Sequence, residues 1–276
     1  MIGKLYLVAT PIGNLEDITL RAIKILETVD IIAAEDTRHT LKLLNHLNIS
    51  KPLFSYHRHN EQIKSQNIID KLLEGKNIAL VSDAGTPVIS DPGEEVVKLA
   101  LDNNIEVIPI PGPCAFVTGL IASGLDSKEF SFLGFLPLNK KNREIKLQEI
   151  EKSNKTVILY EAPHKLITTL TDLSKILDDR KIVLAKELTK IHETFISGTA
   201  NNILKNLSNP KGEFVLIIEK NNSINDNTII FQDMSLDKHY EYYKELGFSK
   251  NEIIKKIAKD KNVSKNDIYM KFLDKK

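Results

Sequence analysis

The sequence predicts an α/β fold of two domains followed by a small helical tail. Three observations support this prediction. Short apolar runs alternate with amphipathic helical patterns over residues 1–117, which is typical of a mostly parallel sheet covered by helices. The apolar runs lie closer together over residues 118–222, which favours a mixed sheet. A lysine-rich segment with two helix-start signals fills residues 228–276 and predicts the helical tail.

Composition and charge narrow the classes of protein that fit. The 276 residues are 42% hydrophobic and 27% charged, as in a globular protein. A formal net charge of +1 gives no global field for a polyanion, so any affinity for nucleic acid must come from local patches. The single cysteine, Cys114, excludes an internal disulfide, and no apolar run approaches the length of a membrane span. We therefore expect a cytoplasmic protein without a membrane anchor.

In the first domain, every predicted strand is followed by a short polar or turn-forming segment. The strands are predicted at residues 5–9, 30–34, 54–56, 78–81 and 105–110. The segments that follow them are residues 10–14, 35–38, 57–61, 83–93 and 111–115. Because the carboxyl ends of parallel strands meet at one edge of a sheet, these segments are expected to lie together, where open α/β sheets bind ligands.

The loop after the fourth strand is the main candidate for ligand binding. Residues 83–93 contain two aspartates, two glycines and two prolines. Gly85 permits backbone conformations that other residues avoid, and residues 91–93 (Asp-Pro-Gly) have the composition of a tight turn. The alternative interpretation is an ordinary strand-to-helix turn.

Two further segments of the first domain carry polar side chains. Residues 35–38 (Glu-Asp-Thr-Arg) either line the cleft or form a local ion-pair cluster that fixes the loop. His57 and His59, with Glu61 close by, have a spacing seen in metal sites. Without cysteines or a second cluster this signal is weak, so we predict no metal and favour a solvated loop or a substrate contact.

The second domain has strand-like runs at residues 130–137, 156–161, 182–185 and 212–219, with one clear helix at residues 166–177. Lys140, Lys141 and Arg143 are predicted to lie in a basic loop, residues 138–143, which suits an RNA backbone or is simply solvated.

The tail is predicted to begin after a polar linker, residues 221–226. Ser249 and Ser264 are predicted to start two short amphipathic helices, and Ser249 with Glu252 has the spacing of a capping box. From Ile230 onward there are eleven lysines, no arginine and eight acidic residues. A tail of this charge is either a packed surface element or a nucleic-acid-binding one.

Several motifs, in order along the chain, resemble the tetrapyrrole methylase superfamily. They are residues 9–15, 34–38, 82–93, 111–113, 160–164, 186–190 and 212–214. The resemblance runs from about residue 3 to about residue 220, with the tail a looser fit. Cys114 stands where such sequences often have serine, and Lys165 where arginine is common. An arginine-to-lysine change there would weaken a bidentate phosphate contact.

The resemblance implies a tetrapyrrole-methylase-like fold that binds S-adenosylmethionine between its two domains, forms a homodimer and needs no metal. It also implies methylation of a ribose 2′-hydroxyl on a cytidine of small-subunit ribosomal RNA, with the subunit already assembled. Two alternatives stay open at this point. One is a methyltransferase of this fold with a tetrapyrrole or protein acceptor, and the other is a non-catalytic RNA-binding assembly factor.

The same resemblance assigns roles to individual residues. Those expected to bind the cofactor are Pro11, Ile12, Gly13, Asp83, Ala84, Gly85, Thr86, Cys114, Ala115, Tyr160 and Glu161. A ribose hydroxyl is a poor nucleophile, so a nearby base or cation should assist it. The candidates for this catalytic role are Glu35, Asp36, Arg38, His57 and Glu187.

Overall fold

Within the residues that the structure describes, the chain forms two five-stranded sheets, each with covering helices, and a separate group of three helices towards its carboxyl end. A computed structural model describes residues 1–207, 209–222, 231, 234–261 and 263–273. The α/β class, the parallel first sheet, the mixed second sheet and the helical tail are confirmed.

The first sheet is entirely parallel, with the strand order β3-β2-β4-β1-β5. Its strands are β1 (Leu5–Val8), β2 (Ile31–Ala34), β3 (Leu53–Ser55), β4 (Ile78–Val81) and β5 (Val107–Ile110). The central strand β4 is buried at all four positions, as expected for a strand covered on both faces. All five carboxyl ends therefore lie at one edge, which confirms the predicted gathering of the loops.

One α-helix follows each strand of the first sheet, and the helix after β5 leads into the second domain. The helices are α1 (Leu20–Thr28), α2 (Thr37–His46), α3 (Glu61–Leu73), α4 (Glu94–Asp102) and α5 (Ala115–Ser123). Helix α5 crosses the domain boundary predicted at residue 117. It packs on the second sheet, since a Cβ on Gly119 would lie 3.4 Å from side-chain atoms of both Val215 and Ile217. The domain boundaries at residues 117 and 222 stay predictions.

The second sheet has the order β6-β7-β10-β8-β9. Its strands are β6 (Phe130–Phe135), β7 (Thr156–Glu161), β8 (Ile182–Lys186), β9 (Thr194–Gly198) and β10 (Phe214–Ile218). Strands β6 and β7 are parallel, whereas β10 runs antiparallel to both β7 and β8. The start of β10 therefore lies beside the end of β7, and Phe214 is paired with Glu161.

In the described part of the second domain there are three helices, where a single clear one was predicted. They are α6 (Lys140–Lys152), α7 (Pro163–Ser174) and α8 (Ala200–Asn206). The predicted basic loop at residues 138–143 is wrong, because α6 begins at Lys140. The side chain of Asn139 caps this helix by accepting a hydrogen bond from the Asn142 N–H at 3.2 Å.

The tail consists of α9 (Leu236–Glu245), α10 (Lys250–Asp260) and α11 (Lys265–Leu273). The predicted capping box at Ser249 is confirmed, with its N–H donating to Glu252 at 2.9 Å. Helix α9 was not predicted. Most of the predicted linker, residues 223–226, lies outside the described residues. Across the described ranges, none of the helices has the length and apolar character needed to cross a bilayer.

Candidate active site

A cavity of about 400 Å³, here called the cleft cavity, is lined by loops from both domains. Its first-domain wall comes from the loops that follow β1, β4 and β5. Eight of the residues predicted to bind the cofactor line it: Ile12, Ala84, Gly85, Thr86, Cys114, Ala115, Tyr160 and Glu161. The structure thus brings most of these residues together around one space of a size typical for small-molecule sites.

Backbone hydrogen bonds tie the first-domain wall together. The Thr10 N–H donates to the Gly85 carbonyl at 2.9 Å, and the Gly85 N–H donates back at 3.0 Å. Gly85 has a φ of +87°, and a Cβ there would lie 3.3 Å from Ile12 Cγ2. The Thr86 hydroxyl donates to the Pro113 carbonyl at 3.0 Å and so joins the loop after β4 to the loop after β5. The wall is therefore fixed and exposes backbone beside small side chains.

Asp91 also lines the cleft cavity, although the sequence analysis did not assign it a role. It follows Val88 and Ser90, which have φ values of 75° and 67°, a conformation that is uncommon outside glycine. The loop is held from outside, since the Arg58 guanidinium donates to the Ser90 carbonyl. Burial raises the pKa of Asp91 to about 6, with a further rise from the charge of Glu35 and a partial offset from the Ser82 hydroxyl.

Glu35 lies within electrostatic reach of Asp91 and Asp83. Burial, followed by the charge of Asp83, raises the pKa of Glu35, while Arg58 and His57 lower it in part. Asp83 accepts a hydrogen bond from the Asp36 N–H at 2.9 Å. Glu35, Asp83 and Asp91 thus form an acidic cluster, of which Asp91 alone lines the cleft cavity.

Three residues predicted to bind the cofactor, Pro11, Gly13 and Asp83, do not line the cleft cavity. Pro11 and Asp83 line a separate, smaller cavity of about 40 Å³ beside α2. Gly13 contacts the second domain, because a Cβ there would lie 3.0 Å from the Leu188 carbonyl oxygen. Glycine at position 13 therefore allows the two domains to approach closely.

Asp36 and Arg38 form a local ion pair, one of the two interpretations left open above. Both guanidinium contacts go to the Asp36 carboxylate, at 3.1 and 2.7 Å. The same carboxylate caps α2 by accepting from the Arg38 N–H at 2.8 Å. The hydrogen bonds from Arg38 hold the pKa of Asp36 well below its ordinary value. A carboxylate bound in this way is a weak base.

His57 follows β3 and is half-buried. Its backbone N–H donates to the Asn60 side chain at 2.9 Å, and its Nε2 lies 3.1 Å from Asn60 Nδ2. Its Nδ1 is buried and has no hydrogen-bond partner within the described chain. In that part of the chain, no group of three His, Cys, Asp or Glu side chains has the arrangement of a metal site.

Glu187 does not line the cleft cavity, but it is next to Leu188 and bonded to Glu213, which do. Its carboxylate accepts from Lys190 Nζ and from the Glu213 N–H, both at 3.0 Å. Burial raises the pKa of Glu187, but these hydrogen bonds outweigh burial and the pKa lies below its ordinary value. With a φ of +51°, Glu187 fixes the turn that carries Leu188 into the cavity wall.

Tyr160 and Glu161 line the cavity in different ways. The Tyr160 hydroxyl accepts from the Phe116 N–H at 3.1 Å, and burial raises the pKa of this phenol. The Glu161 carboxylate turns away from the cavity and accepts from the Ala162 N–H and the Thr169 hydroxyl.

Arg143 was predicted to lie in a basic loop that either suits an RNA backbone or is simply solvated, but it lies in α6 and is bonded to Thr169, a partner of Glu161. Its guanidinium donates to Thr169 at 2.8 Å and to Asp172 at 2.9 Å. The Arg143 side chain is 16% exposed, so it holds α6 against α7 and does not reach into solvent.

Residues 213–215, at the start of β10, form a part of the wall that the sequence pattern did not predict. The residues predicted to bind a ligand were those that follow the carboxyl ends of strands. Because β10 is antiparallel to β7, its beginning lies at the edge where β7 ends. Residues 212–214 are one of the motifs that resemble the tetrapyrrole methylase superfamily, and this resemblance was the signal that could have pointed to this part of the wall.

A family model for tetrapyrrole (corrin/porphyrin) methylases matches residues 4–204, and the chain belongs to that family.

Among its relatives are proteins named ribosomal RNA small subunit methyltransferase I. The protein of Halalkalibacterium halodurans is 50% identical, covering 97% of this chain and 93% of the relative. The protein of Bacillus subtilis is 47% identical with the same coverage. The protein of Synechocystis sp. is 45% identical, covering 99% of this chain and 98% of the relative.

Solved structures share the fold at low sequence identity. A uroporphyrin-III C-methyltransferase of Thermus thermophilus, complexed with S-adenosylhomocysteine, has a TM-score of 0.58 at 14% identity and covers 79% of this chain and 97% of that one. A diphthine synthase has a TM-score of 0.61 at 15% identity, covering 79% and 90%.

Proposed function

We propose that this protein transfers a methyl group from S-adenosylmethionine to the ribose 2′-hydroxyl of a cytidine in small-subunit ribosomal RNA. The observation that carries the proposal is the identity of 45–50% to relatives named for that RNA, over nearly the whole chain. The cytidine and the 2′-oxygen rest on the motif resemblance described above.

The cleft cavity suits a compact cationic cofactor. Ile12, Gly85 and Ala115 leave backbone accessible along one wall, and no lysine or arginine lines the cavity among the described residues. Asp91 supplies a carboxylate for a positively charged group. When bound, S-adenosylmethionine would supply a methyl group from its sulfonium. The sulfonium becomes a neutral thioether once the methyl group has been transferred. Holding the hydroxyl in line with that methyl group, away from water, supplies much of the rate.

Glu35 is the base we propose for the 2′-hydroxyl proton. A carboxylate whose pKa is raised towards neutrality takes up a proton more readily than one stabilised by a cation. The pKa values of Glu35 and Asp91 are raised in this way, whereas hydrogen-bond partners lower the pKa values of Asp36 and Glu187. Asp91 is assigned to the cofactor because it lines the cavity itself. Asp36, Arg38 and Glu187 are then positioning residues, and His57 contacts RNA.

Two other functions fit parts of the molecule. The solved relatives include methyltransferases named for uroporphyrin and for diphthine synthesis, so a tetrapyrrole or protein acceptor is the first alternative. A non-catalytic RNA-binding assembly factor is the second. The fixed backbone of the cavity wall, the raised pKa of Asp91 in this wall and the raised pKa of Glu35, which lies within electrostatic reach of Asp91, favour catalysis.

One experiment separates these functions. Purified protein is incubated with methyl-labelled S-adenosylmethionine and, in turn, assembled small subunits, naked ribosomal RNA and a corrinoid precursor. Labelled RNA is digested to nucleosides, and we expect 2′-O-methylcytidine. Label on a base or on the corrinoid would overturn the proposal. Binding of the cofactor without transfer to any acceptor would favour the assembly factor.

We also propose that the protein acts in the cytoplasm as a homodimer. Helix α5 supports the dimer, since Val117 and Ile121 on its outer face are 42% and 74% exposed. Light scattering of the purified protein should give twice the mass of 31.1 kDa, and charged replacements of these two residues should give the monomer mass.

A further inference from the structure

The tail folds around a core of its own. Ile253, Ile254 and Ile257 of α10 are almost fully buried, together with Phe231 and Ile268. Polar contacts inside the tail add to this core. His239 is completely buried, with its Nε2 3.0 Å from Asp260, and the Tyr243 hydroxyl donates to the same carboxylate at 2.7 Å. The tail is therefore a packed unit and not a loose extension.

This unit lies outside the methylase fold. The family model ends at residue 204, whereas the first tail helix, α9, starts at Leu236. A methylase named for uroporphyrin is matched over 94% of its own length by 79% of this chain. The relatives named for ribosomal RNA in Bacillus subtilis and Synechocystis sp. are matched over 97% and 99% of this chain. Relatives of the same name in Haemophilus influenzae and Escherichia coli O157:H7 are matched over 79% of this chain. The tail is therefore an addition to the methylase fold.

The outer surface of α10 and α11 is basic. Five lysines on these two helices are exposed, here called the tail lysines: Lys250, Lys255, Lys259, Lys265 and Lys271. Across the described residues, none of the five forms an ion pair. Lys255 and Lys259 are four residues apart and so are neighbours on the face of α10 opposite its buried isoleucines.

Helices α10 and α11 carry six lysines against three acidic residues, and the charges of Lys255 and Lys256 act on one of these acids, Glu252. Asp260 is held inside by His239 and Tyr243. Glu252 caps α10 through the Ser249 N–H and hydroxyl. Asp267 is the remaining acid of the two helices. The positive charge of this surface is therefore larger than the net charge of the sequence suggests.

An aromatic ring lies beside this charge. Tyr269 is 45% exposed and is four residues from Lys265 on α11, so the two side chains are neighbours. Exposed rings beside lysines suit single-stranded or looped RNA, because bases stack on the ring while ammonium groups bind phosphates. A protein partner would instead favour an apolar surface with charges at its rim.

We propose that the tail lysines bind the phosphate backbone of the acceptor RNA, next to the segment that enters the cleft cavity. This inference rests on the proposed function, because it takes the acceptor to be RNA. The tail then adds to the affinity for RNA and fixes the position of the RNA on the protein, while the target nucleotide is selected at the cleft cavity.

The test compares two variants of the full chain with equal net charge. One carries Lys255→Gln and Lys259→Gln on α10. The matched control carries Lys238→Gln and Lys244→Gln on α9, where Lys244 is already paired with Glu241 at 3.0 Å. Binding of naked small-subunit ribosomal RNA is measured between 50 and 200 mM salt, together with methyl transfer. Calorimetry with S-adenosylhomocysteine and circular dichroism confirm that the cofactor site and the helices are intact.

For the α10 variant we expect at least about tenfold weaker RNA binding at low salt. Each lost phosphate contact should reduce the slope of log K against log salt by about 0.7 to 0.9, so two contacts reduce it by about 1.4 to 1.8. The α9 control should match the unmodified protein. Equal binding by all three proteins would overturn the proposal and leave the proposed function in place.

Two other outcomes would also overturn this inference. If the α10 variant loses affinity for assembled subunits but not for naked RNA, the partner of the tail is a ribosomal protein. If the unmodified protein binds S-adenosylhomocysteine but neither binds nor methylates ribosomal RNA, the proposed function fails and the role of the tail fails with it.

Discussion

At the residue scale, the environments of the carboxyl groups divide them into two sets. Glu35 and Asp91 are shielded from water and lie close to other acids, which raises their pKa. Asp36 and Glu187 each accept hydrogen bonds from a cationic side chain and from backbone N–H groups, which lowers theirs. Groups of the first set are suited to proton transfer or to a cationic ligand, whereas groups of the second fix loops.

Replacement of Glu35 by glutamine should lower kcat for RNA methylation by about 10² to 10⁴, the usual contribution of a general base. The amide keeps the shape of the side chain but cannot take the proton. Affinity for S-adenosylhomocysteine, measured by calorimetry, should stay close to that of the unmodified protein. Glu27→Gln, at an exposed position of α1, is the control. Full activity of Glu35→Gln would remove Glu35 from the mechanism.

Asp91→Asn should change the pH dependence of stability. The folded carboxyl holds its proton up to a pH of about 6, whereas the unfolded one ionises from its ordinary pKa of 3.8. The folded state therefore loses stability as the pH rises from about 4 to about 6, by at most about 3 kcal/mol. The asparagine variant avoids this loss. In the absence of cofactor it should be more stable than the unmodified protein at pH 8 and equally stable near pH 3.

Whereas Asp91→Asn should stabilise the cofactor-free protein, the same substitution should weaken its affinity for the cofactor. If the Asp91 carboxylate binds a cationic group, affinity for S-adenosylmethionine should rise between about pH 5 and pH 7, and Asp91→Asn should weaken it and remove this rise. Thermal unfolding and calorimetry across this range test both statements. A variant that binds the cofactor normally at pH 8 would contradict the assignment of Asp91.

At the element scale, helix starts were the least predictable feature. Residues 139–143 are polar and basic, and only Ile150 of α6 is buried, so no apolar periodicity marked this helix. The cap at Asn139 was the available signal. Strands of the first sheet were predictable because each is a short apolar run that ends in turn residues. Six of the predicted residues that line the cleft cavity follow these strands.

The N-cap of α2 gives a prediction at this scale. Asp36→Ala removes the cap and the ion pair with Arg38, and should lower the free energy of unfolding by about 1 kcal/mol. Asp36→Ser restores a cap without the ion pair and should recover most of this loss, because the pair is exposed. Denaturant unfolding measures both variants. Loss of methyl transfer in the stable serine variant would return Asp36 to the catalytic candidates.

At the scale of the whole molecule, the cleft cavity depends on a topology that sequence patterns do not reveal. The strand order β3-β2-β4-β1-β5 places β4 and β1 side by side, so that the loops after them bond through Thr10 and Gly85. The antiparallel insertion of β10 between β7 and β8 brings residues 213–215 to the same cavity. Both results depend on pairing between distant segments, which local periodicity leaves open.

This arrangement predicts how a bound ligand affects the two domains. S-adenosylhomocysteine at about 100 times its Kd should stabilise the protein by about 2.7 kcal/mol, because it binds only the folded state. Hydrogen exchange should slow in both walls at once, over residues 84–91 and residues 213–215, since the cavity is complete only when both are in place. The tail helices α9–α11, whose core is separate, should exchange at unchanged rates and serve as the internal control. Protection confined to the first-domain wall would mean that the ligand binds one domain alone, and the cleft cavity would then not be the cofactor site.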